Sequence, residues 1–451
     1  MVFQGQKVIV IGLGKSGVGA AKLLLDRGAH VVALDENPDA KKPLEHPRFE
    51  LKAGPFPERY WEGAAAVVVS PGVPLSKISV PSSVPVFGEI ELAFRTMPHG
   101  AGPLLGITGT NGKSTTTALL GELVKQHVPR TFVGGNLGTA FTSAYEKSTE
   151  KPYDLHVIEL SSFQLEGVVS ARFKGAAILN LTPDHIDRYA SHKEYGLAKA
   201  RIFDTQSQGD FAIVNGDDAE VLELSRRAKV PVYAFTLDGS RTNPGFSGLA
   251  VGKGDKFALT FGKPAVFTVK NRALRGDHNL QNAMAATLMA RLAGIPDDAI
   301  QRGLDAFPGL PHRLEFVRER NGVEWINDSK ATNVDSSLVA MKAFKGDIWL
   351  IAGGKGKGAP YEPLVAAAGG KVKGVITIGD DAPKIAAAFK SLCPVHDCGT
   401  IETAVAKAAE ISTRGDVVLL SPACASYDQF KNFEQRGDVF KTLVRGLPSH
   451  D

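Results

Sequence analysis

Three observations in the sequence predict an α/β fold with three domains. Short apolar runs alternate with helix-like patterns along the whole chain, as in parallel sheets covered by helices. A length of 451 residues is too long for one core and suits about three domains. Two stretches rich in proline or glycine, residues 95–103 and 307–311, interrupt both patterns. We therefore predict domains at residues 1–96, 97–309 and 310–451.

Each predicted domain contains several apolar strands. In the first domain we expect a helix over about residues 18–27 and strands at residues 7–11, 31–34, 65–69 and 84–87. In the second we expect a hairpin between residues 257 and 269 and strands at residues 104–108, 155–160, 176–181 and 211–214. In the third we expect strands at residues 348–352, 375–378 and 417–420.

The composition is that of a folded globular protein, with 43% hydrophobic and 22% charged residues. The net charge of +4 is spread along the chain and does not indicate a nucleic-acid partner. Three cysteines cannot build a disulfide framework, and no segment is long enough to cross a bilayer. We expect a cytoplasmic protein without a membrane-inserted part.

A glycine-rich run at residues 106–115, between a strand and a helix, carries the strongest chemical signal. Glycines let backbone N–H groups converge on a phosphate chain, while Lys113 and the positive end of the next helix attract it. The usual pattern has glycine five residues before Gly112, where this chain has Ile107, so the loop is a variant. We predict a nucleoside triphosphate site, with an ordinary glycine turn as the alternative.

A second glycine-rich turn, residues 12–17, follows the first strand and opens a helix. Asp35 ends the next strand about twenty residues later, as in a dinucleotide-binding fingerprint. Such a turn binds a pyrophosphate beside a hydroxyl-rich sugar, which both a nicotinamide dinucleotide and a UDP-sugar contain. The phosphate loop downstream favours the UDP-sugar, and a purely structural glycine turn is the remaining alternative.

Three residues of the second domain are candidates for metal binding or proton transfer. Glu159 ends an apolar strand facing the phosphate loop, where a carboxylate can hold Mg²⁺; a solvated acid is the alternative. His185 follows another strand, but spacing alone is equally compatible with a packed or helix-starting histidine. Lys199, taken in isolation, is typical of a solvated helix lysine.

An alanine-rich helix opens with residues 278–282, in which Asn279 and Asn282 are three residues apart and share one face. An amide at Asn282 can pair with an adenine edge, while Asn279 can instead be a helix N-cap. In the third domain, polar loops follow the hinge or a strand end, where ligands bind in α/β folds. They lie at residues 309–313, 327–333, 353–358 and 421–427.

Together these motifs resemble the Mur ligase family, and the resemblance runs through the whole chain. Its general part comprises residues 108–115, 159–166, 184–185, 278–282, 312–313 and 328–333. A branch-specific part comprises the fingerprinted first domain and residues 420–437. The resemblance implies a Rossmann-like N-terminal domain, a central domain like that of P-loop ATPases and a Rossmann-like C-terminal domain.

The resemblance also implies an ATP-dependent ligase of peptidoglycan synthesis. It would join D-glutamate to UDP-N-acetylmuramoyl-L-alanine through an acyl phosphate and release ADP and phosphate. Mg²⁺ is expected at two sites, with Lys199 present as a carbamate. A monomer is expected.

Residue by residue, the resemblance implies four binding groups and a catalytic set. ATP would be bound by Gly109, Thr110, Asn111, Gly112, Lys113, Ser114, Thr115, Asn282, Arg313 and Asp328. The UDP-substrate would be bound by Gly14, Lys15, Ser16, Asp35, Gly72, Asn136, Ser161 and Gln164. D-glutamate would be bound by Lys330, Thr332, Lys357, Ser426 and Phe433. Metal would be held by Ser114, Glu159, His185 and Lys199. The catalytic residues would be Lys113, Glu159, His185, Lys199 and Arg313.

Two other function classes remain as rivals. An NAD-dependent oxidoreductase would use the fingerprint but leaves Lys113, Ser114 and Thr115 unexplained. A nucleotide switch or binding module would hold ATP without needing an amino acid. Within the resemblance, ligases that add L-alanine, a diamino acid or a dipeptide, or a folylpolyglutamate synthetase, would share the ATP site but not residues 421–437.

Overall fold

The structure is a computed structural model that describes residues 3–55, 58–146, 151–184, 188–239 and 245–448. Its strands form three sheets of five, nine and six strands, which confirms the predicted α/β class. The chain divides into two compact units, one of Met1–Val269 with Leu280–Ala306 and one of Lys270–Asn279 with Phe307–Asp451. The first two sheets belong to the first unit and the third sheet to the second.

The N-terminal sheet is entirely parallel, with strand order β3-β2-β1-β4-β5. Its elements are β1 (Lys7–Ile11), α1 (Lys15–Asp26), β2 (His30–Asp35), β3 (Phe49–Ala53), β4 (Ala64–Val69), β5 (Val86–Gly88) and α2 (Glu89–Arg95). Helix α1 begins three residues earlier than predicted, with Gly14 as its N-cap, and its first turn includes Gly17 in close contact with the preceding loop. A Cβ on Gly17 would lie 1.9 Å from the Gly12 carbonyl oxygen, so only glycine fits there.

The central sheet has the order β14-β13-β12-β11-β10-β9-β6-β8-β7 and is parallel from β7 to β12. The first half contains β6 (Leu104–Thr108), α3 (Lys113–Lys125), β7 (Thr131–Gly135), β8 (Leu155–Glu159), α4 (Ser162–Glu166), β9 (Phe173–Ile178) and α5 (His192–Ala200). The second half contains β10 (Phe211–Asn215), α6 (Ala219–Ser225), β11 (Val232–Thr236), β12 (Gly248–Lys253), β13 (Lys256–Leu259), β14 (Ala265–Thr268), α7 (Asp277–Leu292) and α8 (Asp297–Ala306). Strands β13 and β14 form the predicted hairpin.

The C-terminal sheet has the order β15-β16-β20-β17-β18-β19, with only the edge strand β15 antiparallel. Its elements are β15 (Glu315–Arg320), β16 (Val323–Asn327), α9 (Val334–Lys342), β17 (Ile348–Gly353), α10 (Glu362–Ala368), β18 (Val372–Ile378), α11 (Ala382–Phe389), β19 (Val395–Gly399), α12 (Ile401–Ile411), β20 (Val417–Leu420) and α13 (Phe433–Gly446). Alternate residues of its strands belong to two buried clusters, as expected for a sheet covered by helices on both faces.

The sequence patterns missed seven of the described strands and misplaced ends of three others, β5, β9 and β18, by two or three residues. The missed strands are β3, β7, β11, β12, β15, β16 and β19, most of which carry polar or half-exposed residues. Strand β9 ends at Ile178, whereas the apolar pattern predicted an end at residue 181. The early end leaves Asn180 in a loop at the edge of the sheet. Within the described residues, no helix is long and apolar enough to cross a membrane.

Candidate functional site

The phosphate loop leads from β6 into α3 with the backbone that its glycines permit. Gly112 is the N-cap of α3 with φ of +80°, and Gly109 has φ of +152°. Both values lie in the region that side chains disfavour. A Cβ on Gly112 would also lie 2.4 Å from Asn282 Oδ1, so a side chain there would have to displace the Asn282 amide. Ile107, which replaces the usual glycine, is a fully buried strand residue.

Lys113 is folded over the loop that precedes it. Its Nζ donates to the carbonyl oxygens of Gly109 at 2.9 Å and Thr110 at 2.8 Å. Ser114 and Thr115 follow in the first turn of α3, where backbone N–H groups lack partners within the helix. The arrangement places a positive charge and the N–H groups of a first helical turn at one helix end, which suits a phosphate chain.

Asn180 braces this loop, and the sequence analysis missed it. Its Oδ1 accepts from the Asn111 N–H at 2.7 Å, and its Nδ2 donates to the Asn111 carbonyl at 3.0 Å. The Thr110 N–H donates to the Asn180 carbonyl at 3.1 Å. The signal for this role was a polar amide directly after an apolar strand. The sequence analysis missed it because the predicted strand, residues 176–181, included Asn180.

Glu159 ends β8, next to β6 in the sheet. Its side chain is 1% exposed; Oε1 accepts from Asn136 Nδ2 at 2.7 Å, while Oε2 has no hydrogen-bond partner among the described residues. A buried carboxylate oxygen without a partner is costly unless a cation or donor reaches it. The donor set therefore fits a hard cation such as Mg²⁺, and the reading of Glu159 as a solvated acid is wrong.

Lys199 is buried, which corrects its reading as a solvated helix lysine. It is 1% exposed; its Nζ donates to the Gly109 carbonyl at 2.9 Å and lies 4.4 Å from the centre of the Tyr195 ring. Burial and the nearby charge of Lys113 lower the pKa of Lys199 to about 6, while Asp184 acts in the opposite direction. The amine is therefore largely neutral at pH 7.

His185 lies outside the described residues, which stop at Asp184 and resume at Arg188. Among the described residues there is no group of three or more His, Cys, Asp or Glu side chains arranged to hold a metal ion. Ser114, Glu159 and Lys199 are therefore the members of the predicted metal set that the structure describes.

The two predicted UDP-substrate turns of the N-terminal domain lie side by side at the ends of β1 and β4. The Asp35 carboxylate accepts from the N–H groups of Leu13 at 2.9 Å and Asn37 at 3.1 Å, which ties it to the glycine turn. Ser70 donates to the Gly12 carbonyl at 2.6 Å. Gly14, Lys15 and Gly72 are exposed, and Ser16 is half-buried. Apart from the adjoining residues, no atom of the described part of the chain lies within 4 Å of a Cβ built on Gly14 or Gly72. Both turns therefore leave room for a ligand.

Ser161 and Gln164, also predicted at the UDP-substrate, form a capping box at the start of α4. Ser161 Oγ accepts from the Gln164 N–H at 3.2 Å, and Gln164 Oε1 accepts from the Ser161 N–H at 3.0 Å. Capping fixes the orientation of both side chains.

Asn282 lies on α7 and is 6% exposed, with Oδ1 accepting from Thr116 Oγ1 at 3.2 Å. Its amide is thus held against the phosphate loop. The N-cap alternative for Asn279 is wrong, because α7 begins at Asp277, and Asn279 Nδ2 donates instead to the Arg275 carbonyl at 2.9 Å.

In the second unit, Asp328 follows β16 and bonds to the loop after the neighbouring strand β20. Its Oδ2 accepts from Ser421 Oγ at 2.8 Å, and its Oδ1 accepts from the Leu314 N–H at 3.2 Å. Burial raises the pKa of Asp328 to about 7, although these donors and the charge of Arg313 act to lower it. Arg313 is half-buried and precedes Leu314, the residue whose N–H donates to Asp328.

Four of the residues predicted to bind D-glutamate lie on loops that follow β16, β17 and β20, and the fifth, Phe433, begins α13. Lys330 Nζ is 4.6 Å from the centre of the Phe433 ring, and Thr332 is half-buried two residues farther along. Ser426 is 2% exposed, whereas Lys357 is exposed. The loops bearing Lys357 and Ser426 are paired, because Lys355 and Ala425 exchange backbone hydrogen bonds of 2.9 and 3.0 Å.

Arg436 is a buried cation that the sequence analysis did not single out. It is 1% exposed, and its guanidinium donates to the carbonyls of Ser329 at 2.9 Å and Cys424 at 3.1 Å. Burial lowers the pKa of Arg436 to about 10. Arg436 therefore joins the loop after β16, which contains Lys330, to the loop after β20, which contains Ser426.

Three family models together match most of this architecture. The Mur ligase MurD-like, N-terminal domain matches residues 6–85, the Mur ligase middle domain matches residues 107–290, and the Mur ligase, glutamate ligase domain matches residues 312–424. A curated relative from Myxococcus xanthus (strain DK1622) is 57% identical, covering 99% of this chain and all of that protein. The chain belongs to the Mur ligase family.

The relatives of this Mur ligase include proteins with a more specific name. The Myxococcus xanthus protein is named UDP-N-acetylmuramoylalanine--D-glutamate ligase. A protein of the same name from Anaeromyxobacter dehalogenans (strain 2CP-C) is 47% identical, covering 98% of each chain.

Solved structures of Mur ligases share the fold at low sequence identity. The MurF ligase from Thermotoga maritima in complex with ADP has a TM-score of 0.61 at 17% identity, covering 98% of this chain and 96% of that one. The UDP-N-acetylmuramate-alanine ligase MurC from Thermotoga maritima has a TM-score of 0.59 at 18% identity, covering 97% and 99%. The predicted three-domain architecture is therefore confirmed.

Proposed function

We propose that this Mur ligase uses ATP to join D-glutamate to UDP-N-acetylmuramoyl-L-alanine in the synthesis of peptidoglycan precursors, releasing ADP and phosphate. The observation that carries the proposal is the phosphate loop with Lys113 at the start of α3. On the strand next to β6, Glu159 has a carboxylate oxygen that lacks a hydrogen-bond partner among the described residues. The names of its full-length relatives support the choice of substrates. A cytoplasmic location and a monomeric state form part of the proposal.

The chemistry follows from the poor reactivity of a carboxylate toward an amine. Transfer of the γ-phosphoryl group of ATP to the L-alanine carboxylate gives an acyl phosphate and ADP. The D-glutamate amine then attacks the acyl carbon, the amide bond forms and phosphate leaves. Lys113 and Arg313 neutralise charge during phosphoryl transfer, which depends mainly on positioning and electrostatics. His185 or solvent accepts the proton lost by the amine.

Mg²⁺ would be held by Ser114, Glu159 and His185 with the phosphates, at two sites. When bound, it would shield the negative charge of the transferred phosphoryl group. Glu159 Oε2 supports this assignment, because the structure gives that buried oxygen no other partner among the described residues.

A carbamate at Lys199 is the further metal-positioning group that we propose. Only a neutral amine reacts with carbon dioxide, forming an N–C bond and releasing a proton. The lowered pKa of Lys199 supplies that neutral amine. The product is an anion near the positive charge of Lys113, so the reaction adds an attraction that the neutral amine lacks.

The two remaining groups of residues are proposed to hold the other substrates. Gly14, Lys15, Ser16, Asp35, Gly72, Asn136, Ser161 and Gln164 would contact the UDP-substrate. Lys330, Thr332, Lys357, Ser426 and Phe433 would contact D-glutamate. Two cations and two hydroxyls suit an amino acid with two carboxylates. With Lys113, Ser114 and Arg313, the remaining proposed ATP contacts are Gly109, Thr110, Asn111, Gly112, Thr115, Asn282 and Asp328.

The decisive experiment measures phosphate release from ATP with UDP-N-acetylmuramoyl-L-alanine and a panel of amino acids. We expect release with D-glutamate and little with L-alanine, a diamino acid or a dipeptide. Ligation of D-glutamate without ATP, or equal use of another amino acid, would contradict the proposal. A nicotinamide absorbance change would instead favour the oxidoreductase.

The variant Lys113→Ala tests the phosphate loop within the same assay. Since the lysine acts on the transferred phosphoryl group, we expect kcat to fall by about 100- to 1,000-fold. Affinity for the UDP-substrate, measured by calorimetry without ATP, should stay near that of the wild type. Normal turnover by this variant would show that the loop is not the triphosphate site.

A further inference from the structure

Arg188 connects the N-terminal domain to the central domain. Its Nη1 donates to the Pro71 carbonyl at 3.0 Å, in the loop after β4, and its Nη2 pairs with Glu166 Oε2 at 2.8 Å, on α4. Both domains lie in the same compact unit. Gly72, beside Pro71, and Gln164, on α4, are proposed UDP-substrate residues, whereas Arg188 has no assigned role.

The guanidinium of Arg188 is held in place from several sides. Its side chain is 10% exposed, and its Cζ lies 4.2 Å from the centre of the Phe163 ring. Glu166 is itself fixed, because its Oε1 accepts from the Tyr189 hydroxyl at 2.5 Å. A planar guanidinium can donate hydrogen bonds to a carbonyl and a carboxylate at the same time. An ammonium group is less suited to this, because its donors are not held in a fixed plane.

A small cavity lies along this bridge. Its walls come from both domains and include Ser70, Pro71, Gly88, Gln164 and Arg188. Arg188 therefore borders the space between the loop after β4 and helix α4, the two segments that it joins. Any ligand contacting both the loop after β4 and α4 depends on the distance that Arg188 sets between them.

We propose that Arg188 is a positioning residue for the UDP-substrate: it fixes the loop of residues 70–72 against α4, so that both segments contact one ligand together. The inference rests on the proposed function, since it takes the UDP-substrate as the ligand. It assigns Arg188 no contact with ATP, because its bonds go to Pro71 and Glu166 and not to the phosphate loop.

The test compares Arg188→Ala and Arg188→Lys with the wild type. We measure the Kd of UDP-N-acetylmuramoyl-L-alanine by calorimetry without ATP, and the KM values of this substrate and of ATP. Loss of a charged hydrogen-bonded bridge should raise the Kd and KM of the UDP-substrate about 10- to 100-fold in Arg188→Ala. The KM of ATP should change by less than about twofold. Arg188→Lys should give an intermediate value.

Arg201→Ala is the matched control, since Arg201 braces the same segment without reaching the N-terminal domain. Its Nε donates to the Leu165 carbonyl at 2.9 Å and its Nη2 to the Val168 carbonyl at 2.8 Å. We expect it to lower the thermal midpoint while leaving the Kd of the UDP-substrate near the wild-type value.

Three results would overturn the inference: an unchanged Kd in Arg188→Ala, equal increases in both KM values, or the same increase in Arg201→Ala. Failure of the wild type to bind the UDP-substrate would overturn the proposed function together with the inference. An unchanged variant Kd with a binding wild type would overturn the inference alone.

Discussion

Lys199 shows how burial changes what one residue can do. On an isolated helix its ammonium group would be solvated and charged. In the folded chain it is 1% exposed, with Lys113 contributing a second positive charge nearby. Desolvation and repulsion both favour the neutral amine, which is the form that reacts with carbon dioxide. The proposed carbamate and the electrostatics of the site are therefore consistent with each other.

Replacing Lys199 by alanine tests the carbamate. Lys199→Ala removes the proposed anion and leaves a buried space, so we expect kcat to fall by about 10- to 100-fold. Acetate or another short carboxylic acid should partly restore activity by supplying the anion in that space. An unmodified lysine role predicts no recovery, and Lys193→Ala, in the same helix but exposed, should lose little activity and gain nothing from the acid.

The lowered pKa of Lys199 also predicts how stability depends on pH. In buffer free of carbon dioxide, the folded chain loses this proton near pH 6, whereas the unfolded chain keeps it up to about pH 10.5. The unfolded chain thus binds one more proton between these values, and the free energy of unfolding rises with pH by about 1.4 kcal/mol per unit. This contribution to the free energy of unfolding decreases as the pH falls and is lost near pH 6.

Denaturant unfolding of the wild type and of Lys199→Met at several pH values tests whether the free energy of unfolding rises with pH as predicted. Methionine fills a similar volume without a titrating group, so the difference between the two proteins isolates Lys199. We expect the wild type to gain stability relative to Lys199→Met between pH 6.5 and 9, the range set by the two pKa values. A flat difference would mean that Lys199 is charged in the folded chain.

At the scale of elements, the connection from β9 to α5 serves two different parts of the site. Near its start, Asn180 binds the backbone of Asn111 in the phosphate loop. Near its end, Arg188 binds the Pro71 carbonyl of the N-terminal domain. One connection thus fixes the loop proposed for ATP and the loop proposed for the UDP-substrate, through different side chains.

Asn180→Ala should therefore affect ATP and spare the UDP-substrate. Losing two hydrogen bonds to Asn111 loosens the loop, so we expect the KM of ATP to rise about tenfold, with the KM of the UDP-substrate nearly unchanged. Asn215→Ala is the matched control, because Asn215 donates to the Leu179 carbonyl at 3.0 Å without touching the phosphate loop. Equal effects of the two variants on the KM of ATP would indicate general destabilisation.

At the scale of the whole molecule, three sheets place polar loops at the carboxyl ends of their strands. The first unit contains the phosphate loop and the turns proposed for the UDP-substrate, and the second contains the loops proposed for D-glutamate. The chain passes between the units near residues 270, 280 and 307. Each substrate requirement can therefore be tested by a change confined to one unit.

Lys357→Ala makes such a change in the second unit. Lys357 is an exposed cation on a glycine-rich loop, and a dicarboxylate amino acid needs positive partners. We expect the KM of D-glutamate to rise about tenfold or more while the KM of ATP changes little. Lys355→Ala, on the same loop, should have the smaller effect; equal effects on D-glutamate and ATP would argue against a direct contact.

The sequence predicted the parts of the fold whose signals are local. Buried parallel strands are continuous apolar runs, so β1, β4, β6, β8 and β17 were recognised within about one residue. Strands such as β15 and β19 carry half-exposed or polar residues and gave no such run. The end of β9 was misplaced because its apolar residues continue into the loop at Leu179 and Leu181.

The three α/β domains and the two glycine turns were predictable from the sequence alone. Each depends on neighbouring residues: apolar runs, and glycines where φ is positive or backbones pass closely. The burial of Lys199, the hydrogen bonds of Asn180 to the phosphate loop and the bridge formed by Arg188 are evident only in the tertiary structure. Their contacts join residues 90, 69 and 117 positions apart. Charge state and hydrogen-bond partners depend on such distant neighbours, which no local pattern contains.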